Sequence, residues 1–305
     1  MTSKQRPVSD LAGNPDLKEG SQSTWSRLAV EQVGGRSRLT TCLSLPPLKI
    51  LSPKAGGDYG VAILSSYGGG LVSGDCARLQ VHCGPEAKLF LGTQAFTKVY
   101  KALDGQIARQ QIDGRIGPGG CTVVLPDPVV PYADSVFLQE QTWTLEKDAL
   151  LILLDSGTAG RGERGERFDY SAYTSRITVW QAQKPLLVER FDSCPALHPG
   201  PCTGSFGPYA AFANAFILGP PNSVAFNAIE SILRRTLAPQ LAAQLAKHSS
   251  PAQSLLVSLV QTRPGVLALR ALGDRSRDLA PVLDALASAV ADAAVLGANP
   301  LRRKY

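Results

Sequence analysis

Short stretches in which apolar and polar residues alternate dominate the first two thirds of the chain. Alternation with a period of two is typical of strands that are buried on one face, and glycine and proline between the stretches indicate turns. The pattern predicts strands over residues 27–33, 38–43, 60–65, 78–83, 88–93, 121–126, 150–155, 176–181 and 186–191. The chain is therefore predicted to begin with a mainly β body.

Three segments of this body share one shape, in which a tight turn is followed by a small residue and an apolar strand. They are GPEAKLFLGT (84–93), GPGGCTVVLP (117–126) and EKDALLILLD (146–155), with a spacing of roughly thirty residues. A β-solenoid produces such a spacing because each turn of the chain adds a strand to a continuous sheet. An antiparallel β-sandwich with similar turns is the alternative, and the pattern alone favours the sandwich.

The C-terminal third has a mixed pattern. Residues 223–249 have helical periodicity, and Pro239 is predicted to divide them into two helices. Residues 255–262 and 266–272 predict a pair of strands. Residues 277–296 predict an amphipathic helix with an apolar face formed by Leu279, Val282, Leu283, Leu286 and Val290. Strands followed by helices indicate an α+β arrangement.

These changes in pattern predict a flexible N-terminal tail over residues 1–24 and a single domain over residues 25–305. Within the domain, residues 25–200 are the β-rich body and residues 201–305 are the α+β part. The tail has no apolar core of a signal sequence, and no apolar run has the length of a membrane span. We therefore expect a cytoplasmic protein that does not bind membranes.

Composition and charge agree with a cytoplasmic globular protein. Of the 305 residues, 44% are hydrophobic, which allows a sizeable core. The net charge of +6 favours acidic partners, but the basic residues are scattered, so no nucleic-acid partner is predicted. Six cysteines spread through so long a chain indicate a reducing compartment.

A glycine-rich loop, YGGGLVSGD (67–75), is the first candidate functional motif. A phosphate-binding loop requires Gly-Lys-Ser/Thr and a following helix, whereas here Asp75 and a strand follow, which disfavours nucleotide binding. Gly69, Gly70 and Gly74 are instead predicted to form a sharp turn with positive φ. This turn places Asp75 at the start of a strand.

Two further polar segments each have a structural and a functional interpretation. Residues 155–170 contain four acids that suit catalysis or metal binding but equally an exposed loop: Asp155, Glu163, Glu166 and Asp169. The run that follows the strand at 88–93 either is solvated or lines a cavity, and its polar members are Thr93, Gln94, Thr97 and Lys98.

The cysteines and histidines do not form a catalytic or metal-binding motif. The compact cluster of Cys194, His198 and Cys202 lacks the spacing of a zinc site and a fourth ligand. No Gly-x-Ser-x-Gly motif is present either. The sequence therefore contains no catalytic signature.

Several motifs in this order resemble one family. They are GGGLVSGD (68–75), TQAFTKVY (93–100), LPDPVVPYA (125–133), GRGERGERF (160–168), Tyr173 with Ser175-Arg176, and LALRALGD (267–274). Together they resemble the UreD (also called UreH) urease accessory proteins, and the resemblance extends from about residue 25 to the end of the chain.

The resemblance implies a non-enzymatic factor that helps urease to acquire nickel. The implied partners are apo-urease, a UreF-type accessory protein and, through the complex, a UreG-type GTPase. The implied fold is a mainly β, solenoid-like body with a few C-terminal helices, which favours the solenoid over the sandwich. No cofactor is expected to bind tightly, and nickel is expected only in transit.

The resemblance also implies a solvated internal passage for nickel and assigns residues to it. Asp75 and Glu166 are the expected transient nickel ligands, because carboxylates hold the ion more loosely than thiolate or imidazole clusters. Supporting positions are expected at Thr93, Gln94, Thr97, Lys98, Arg161 and Arg176. Arg161, Arg164 or Lys98 are the expected charge partners of the carboxylates where water does not reach them.

Two alternatives belong to other functional classes. A carbohydrate-active β-solenoid enzyme would use acids such as Asp75 and Glu166, but aromatic residues make up only 7% of the chain. The second alternative is an interaction module without a metal role. For such a module, unlike for a nickel-delivering accessory protein, changing Asp75 and Glu166 would leave nickel loading of urease intact.

Overall fold

The computed structural model describes residues 25–197, 206–245 and 254–302, and strands account for most of them. The helices are α1 (Val224–Leu245) and α2 (Ala280–Val290). The strands are β1 (Ser26–Val33), β2 (Arg36–Leu43), β3 (Leu48–Leu51), β4 (Gly60–Ser66), β5 (Cys76–Cys83), β6 (Lys88–Thr93), β7 (Thr97–Val99), β8 (Ala108–Ile116), β9 (Cys121–Leu125), β10 (Val129–Pro131), β11 (Val136–Leu145), β12 (Leu150–Thr158), β13 (Ala172–Gln181), β14 (Lys184–Ser193), β15 (Ala211–Leu218), β16 (Leu255–Arg263) and β17 (Val266–Gly273). Each strand predicted from alternation is confirmed, and the mainly β class is confirmed with them.

The strands form two sheets. The first, sheet A, has the order β14-β13-β11-β8-β5-β1-β2. The second, sheet B, has the order β16-β17-β15-β12-β9-β6-β4-β3, and the short strands β10 and β7 are attached to it at β12. The central strands of both sheets pair in parallel, because the chain alternates between the sheets and contributes one strand to each per turn. This arrangement is solenoid-like.

The repeat seen in the sequence corresponds to this stacking. Lys88 of β6 pairs with Cys121 of β9, and Cys121 pairs with Leu150 of β12. The three similar segments therefore lie side by side in register. The antiparallel sandwich, which the pattern alone favours, is wrong for the central strands, because alternation reports which face is buried and not the direction of the neighbouring strand.

The turns of the three repeats also stack. Glu86, Gly119 and Asp148 occupy the same place in successive turns and have positive φ angles of 56°, 65° and 60°. The Glu86 amide donates to the Pro118 carbonyl at 2.9 Å, and the Gly119 amide donates to the Lys147 carbonyl at 3.0 Å. These hydrogen bonds join one turn of the solenoid to the next.

Two hydrophobic cores divide the molecule into three layers. The first core lies between the sheets, and fully buried Trp143 packs there against Gly114, whose absent side chain leaves room for the indole ring. The second core lies between the other face of sheet B and the two helices. The order of layers is therefore sheet A, sheet B and helices.

The C-terminal elements confirm one prediction and correct two. The strand pair is confirmed as β16 and β17. The division of the first helix at Pro239 is wrong, because α1 continues through it: Leu233 and Leu237 remain buried while Pro239 faces solvent. The second helix is shorter than predicted, since a 3-10 turn over Ser276–Leu279 precedes α2.

The apolar face predicted for the second helix contacts sheet B. Leu279, Val282, Leu286 and Val290 are buried, and Leu283 is half-buried. Within the described residues, no helix is long and apolar enough to cross a membrane. The division into a tail and a single domain stays a prediction, and residues 1–24 lie outside the described part.

Candidate functional site

Loops from three separate motifs meet at one end of the molecule. The Leu71 amide donates to the Lys98 carbonyl at 2.8 Å, and the Tyr100 amide donates to the Leu71 carbonyl at 2.9 Å. The Tyr132 amide donates to the Val99 carbonyl at 2.9 Å. The glycine-rich loop, the TQAFTK run and the LPDPVVPYA segment are therefore neighbours in space.

The glycines of the loop permit this close approach. Gly69 and Gly74 have φ angles of +70° and +83°, in the left-handed region, as predicted, whereas the prediction of a positive φ is wrong for Gly70. A Cβ atom at Gly70 would lie 2.6 Å from the Tyr100 ring and 2.7 Å from the Lys98 carbonyl oxygen. The backbone at Gly70 thus packs directly against the TQAFTKVY segment.

Asp75, one of the two predicted nickel ligands, is used within its own loop. Its Oδ2 accepts a hydrogen bond from the Val72 amide at 2.9 Å, and its amide donates to the Val72 carbonyl at 3.0 Å. The side chain is half-buried. In this structure the carboxylate stabilises the turn that follows the glycines.

Glu166, the other predicted ligand, is paired with Arg161. Arg161 Nε donates to Glu166 Oε2 at 2.7 Å, and Arg161 Nη2 donates to Oε1, so the pair is bidentate. The hydrogen bonds from Arg161 lower the pKa of Glu166. The Arg161 guanidinium also lies 3.9 Å from the centre of the Tyr132 ring. Glu166 therefore positions Arg161 against the loop cluster.

These contacts form a cleft at the surface. The cleft has a volume of about 490 Å³, and its walls include Val72, Tyr100, Leu103, Tyr132 and Arg161. Val72 and Leu103 are exposed there. The motif residues therefore form a mostly apolar cleft. Asp75 binds the Val72 amide and Glu166 binds Arg161, so the two carboxylates hold residues of the cleft walls in place.

A second polar centre lies between the sheets. The Thr93 hydroxyl donates to Asp127 Oδ2 at 2.8 Å and accepts from the Asp127 amide at 2.7 Å. Thr93 and Thr97 line a cavity of about 20 Å³, together with Gln110, Gln139, Gln141, Asp127 and Asp155. A space of this size holds about one water molecule.

Asp155 is the most deeply buried carboxylate of this centre, with 3% of its surface exposed. Gln139 Nε2 donates to Oδ1 at 3.0 Å, and the Ser175 hydroxyl donates to Oδ2 at 2.8 Å. Burial raises the pKa of Asp155, and the negative charge of Glu189 raises it further. No ion pair of the described residues includes Asp155, so only neutral donors satisfy it.

The polar groups continue across sheet B from Asp155. Asp155 of β12 pairs with Asn214 of β15, and Asn214 pairs with Arg270 of β17. All three lie on the face that bears inter-sheet core residues, because alternate side chains of a strand share a face. Across the gap, Glu189 of sheet A accepts hydrogen bonds from both Nη atoms of Arg270 at 2.8 and 2.7 Å.

These groups form the polar band, which consists of Thr93, Asp127, Gln139, Gln141, Asp155, Asn214 and the Glu189–Arg270 pair. It runs from the small cavity to a large open cleft of about 1150 Å³. Asn214 and Arg270 line that cleft, whose aromatic walls include Phe191, Phe206 and Phe212. A row of polar side chains therefore lies among the apolar residues of the inter-sheet core.

The remaining predicted positions do not all reach the polar band. Gln94 is exposed in the loop after β6, and Lys98 is exposed in β7. Arg176 lies on the outer face of sheet A, where its Nη1 contacts Glu140 Oε1 at 3.3 Å. Of the predicted supporting residues, Thr93 and Thr97 line the cavity between the sheets.

Sequence reasoning missed most of the polar band. Within VFLQEQTWTL (136–145), Gln139 and Gln141 stand in the same phase as Phe137 and Trp143, which are fully buried. Polar residues at the apolar phase of a strand are the signal that identifies them. Asn214, Glu189 and Arg270 carry no comparable local signal.

The chemistry available to the polar band is that of oxygen ligands and hydrogen bonding. No group of three or more His, Cys, Asp or Glu side chains in the described residues is arranged to hold a metal ion. In the cysteine connector, the Cys194 thiol donates to the Ser171 carbonyl at 3.4 Å, while His198 and Cys202 lie outside the described residues. Carboxylate, amide and hydroxyl groups bind a divalent cation weakly compared with thiolates.

Comparison with known proteins shows the family of the chain. The family model described as UreD urease accessory protein matches residues 23–305. The urease accessory protein UreD of Cytophaga hutchinsonii is 30% identical over 278 residues, which cover 91% of this chain and 97% of that protein.

Relatives from other groups carry the same description. The urease accessory protein UreD of Sorangium cellulosum is 36% identical, over 73% of this chain and 70% of that protein. Urease accessory protein D of Arabidopsis thaliana is 36% identical, over 53% of this chain and 57% of that protein. With a family match over nearly its whole length, the chain belongs to the UreD family of urease accessory proteins.

Proposed function

We propose that this accessory protein binds apo-urease together with UreF-type and UreG-type partners and conducts nickel to urease through the space between its sheets. The observation that carries the proposal is the polar band, which crosses the inter-sheet core with Asp155 at its centre. Burying so many polar groups without use is costly. A path for a polar cargo accounts for them.

The ligands of the polar band suit transit better than storage. Asp155, Asn214 and the glutamines offer oxygen atoms that a borderline cation such as Ni²⁺ binds and releases readily. The cavity of about 20 Å³ holds only about one water molecule. Nickel therefore passes either largely dehydrated or while the sheets separate slightly.

Asp75 and Glu166 take a different part in this proposal. Their carboxylates are engaged by the Val72 amide and by Arg161, at the cleft formed by the motif loops. We assign them to holding these loops in place for a partner. Their role as transient nickel ligands stays a prediction.

The surface around the motif loops supports a partner there. Tyr67, Val72, Phe96 and Leu103 are exposed, and large apolar side chains at a surface often mark interaction sites. Apo-urease and the accessory partners are the proposed occupants, in the cytoplasm. The absence of a catalytic signature and the accessory relatives support a non-enzymatic role.

Reconstitution tests the proposal. Apo-urease is incubated with the UreF-type and UreG-type proteins, nickel, GTP, bicarbonate and either wild-type chain or Asp155→Asn. Complex formation is followed by gel filtration, and the nickel content of urease by mass spectrometry. We expect Asp155→Asn to assemble normally but to load nickel at least about tenfold more slowly, because one charged oxygen ligand is lost. Asp113→Asn, on the exposed face of sheet A, is the matched control.

The same assay decides between a passage and an adaptor. If Asp155→Asn assembles and loads nickel at the wild-type rate, the passage is refuted. Asp75→Ala and Glu166→Leu are expected to weaken assembly, since they loosen the motif loops. If they assemble normally and only nickel loading falls, the two carboxylates act on the metal, as the family resemblance implies.

A further inference from the structure

The polar band ends at an ion pair that joins the two sheets. Glu189 belongs to β14, the edge strand of sheet A, and Arg270 belongs to β17 of sheet B. Both Nη atoms of Arg270 donate to the carboxylate of Glu189, at 2.8 and 2.7 Å. Such a bidentate pair fixes the guanidinium in one orientation. The pair therefore spans the gap between the sheets where the band reaches the large cleft.

The two partners differ in exposure. The side chain of Glu189 is 17% exposed, whereas that of Arg270 is 48% exposed and lines the large cleft. Arginine has a long, flexible side chain, so Arg270 can rotate into the cleft without a change in the backbone. That rotation leaves an inward-facing carboxylate, Glu189, at the end of the band.

The charge of Arg270 opposes entry of a cation. The guanidinium is 48% exposed and paired with Glu189, so its repulsion of a divalent ion is screened, but it occupies the carboxylate that the ion would bind. When Arg270 rotates away, the repulsion falls and the Glu189 carboxylate becomes available as an oxygen ligand. One side-chain movement thus removes a barrier and supplies a binding group.

We propose that the Glu189–Arg270 ion pair is a gate at the outer end of the polar band, closed when the pair forms and open when Arg270 rotates into the large cleft. The nature of the cargo rests on the proposed function, whereas the gate itself concerns access to the interior. The cargo and the gate can therefore be tested separately.

Access is measured by reaction of a cysteine inside the cavity with a small thiol reagent. Because the closed cavity holds only about one water molecule, the reaction reports opening of the space between the sheets. Val124 lines the cavity and is buried, and Val124→Cys changes its volume little. Labelling of the introduced thiol is followed over time by peptide mass spectrometry, in backgrounds that carry Arg270, Arg270→Met or Glu189→Gln. We expect Arg270→Met and Glu189→Gln, the two gate variants, each to raise the labelling rate by about tenfold, because each removes a charge-assisted hydrogen bond.

Native cysteines report general unfolding in the same samples. Cys83 and Cys121 are buried, and burial raises their pKa values to about 11 and about 12. The labelling rate of each native cysteine is compared between the variants. A gate accelerates labelling of the introduced thiol alone, whereas labelling that rises equally at all three positions reflects unfolding and overturns the proposal.

A second ion pair provides a matched control. Glu230 and Arg234 of α1 are 21% and 49% exposed, close to the values of Glu189 and Arg270. Glu230→Gln is expected to leave labelling unchanged. The exchange Glu189→Arg with Arg270→Glu is expected to restore slow labelling, because it rebuilds the pair in reverse. Unchanged labelling in Arg270→Met and Glu189→Gln also overturns the gate.

Nickel loading of urease with the same variants separates the gate from the passage. If the gate variants accelerate labelling while Asp155→Asn loads nickel at the wild-type rate, the gate stands and the passage fails. If nickel loading falls with Asp155→Asn but labelling does not respond to the gate variants, the passage stands and the gate fails.

Discussion

Asp155 shows how a single carboxylate is tolerated in the buried space between two sheets. A carboxylate removed from water is costly, and here Gln139 and Ser175 offset part of that cost by donating to its two oxygens. The part of the burial cost that these hydrogen bonds do not offset raises the pKa of Asp155. Since no described cation pairs with it, Asp155 is a buried acid that a passing cation would stabilise in its charged form.

This raised pKa makes stability depend on pH. The folded protein binds the Asp155 proton more tightly than the unfolded chain, whose aspartate has the usual pKa of 3.8. The residue therefore stabilises the fold below about pH 4, and this contribution is lost as the pH rises through the folded-state pKa. Asp155→Asn lacks this pH dependence. We expect its free energy of unfolding to improve relative to wild type from pH 4 upwards.

Urea unfolding at a series of pH values measures this difference. A constant loss of about 1–2 kcal/mol is expected at every pH, because asparagine accepts only one of the two hydrogen bonds. The informative quantity is the change with pH. A difference between the two proteins that is the same at pH 4 and pH 8 contradicts a raised pKa at Asp155.

At the scale of elements, α1 shows packing prevailing over local preference. Proline inside a helix removes a hydrogen bond and crowds the preceding turn. Nevertheless α1 continues through Pro239, because Leu233 and Leu237 are buried against sheet B and α2 while Pro239 is exposed. The helix is held by its apolar face and not by its propensity.

Pro239→Ala is accordingly expected to stabilise the protein. The substitution restores a backbone hydrogen bond at an exposed position, with an expected gain of about 1 kcal/mol or more in the free energy of unfolding. Chemical denaturation measures it. Thr236→Ala, exposed on the same helix, is the control and should gain only a few tenths. Equal gains from both substitutions speak against a cost at Pro239.

At the scale of the whole molecule, the strands differ in whether they lie in the centre or at an edge of a sheet. The polar strand β8 (ARQQIDGRI) lies in the middle of sheet A, whereas the apolar strand β3 (LKIL) lies at an edge of sheet B. A central strand is paired on both sides, and an edge strand is paired on one. Position in the sheet therefore predicts that β8 opens less readily than β3, whereas local hydrophobicity predicts the reverse.

Hydrogen exchange distinguishes the two. We expect amides of β8 and β12 to exchange slowest and amides of β2 and β3 to exchange fast, because opening an edge strand breaks fewer contacts. Peptide-resolved mass spectrometry after exchange into deuterated water gives the order. Slower exchange in β3 than in β8 contradicts stabilisation by position in the sheet.

The candidate site is only partly predictable from sequence. Thr93 and Thr97 stand out as polar residues after an apolar strand, and both line the cavity. Asp75 and Glu166 are the predicted ligands, yet the structure gives each a local partner, Val72 and Arg161. Sequence motifs identify which loops matter, but the hydrogen-bond partner of a carboxylate depends on chain segments that only folding brings together.

Local periodicity predicts many of the strands, the repeat of about thirty residues and the apolar face of α2, because burial imposes a period on each element. The predictions nevertheless omit β11 and β15, although both have a buried face. Strands such as β8 escape this pattern because their inward positions include the small residues Ala108 and Gly114. The parallel direction of the central strands, and the row formed by Asp155, Asn214 and Arg270, are properties of the folded chain alone. Their alignment depends on register between distant strands, which no local pattern specifies.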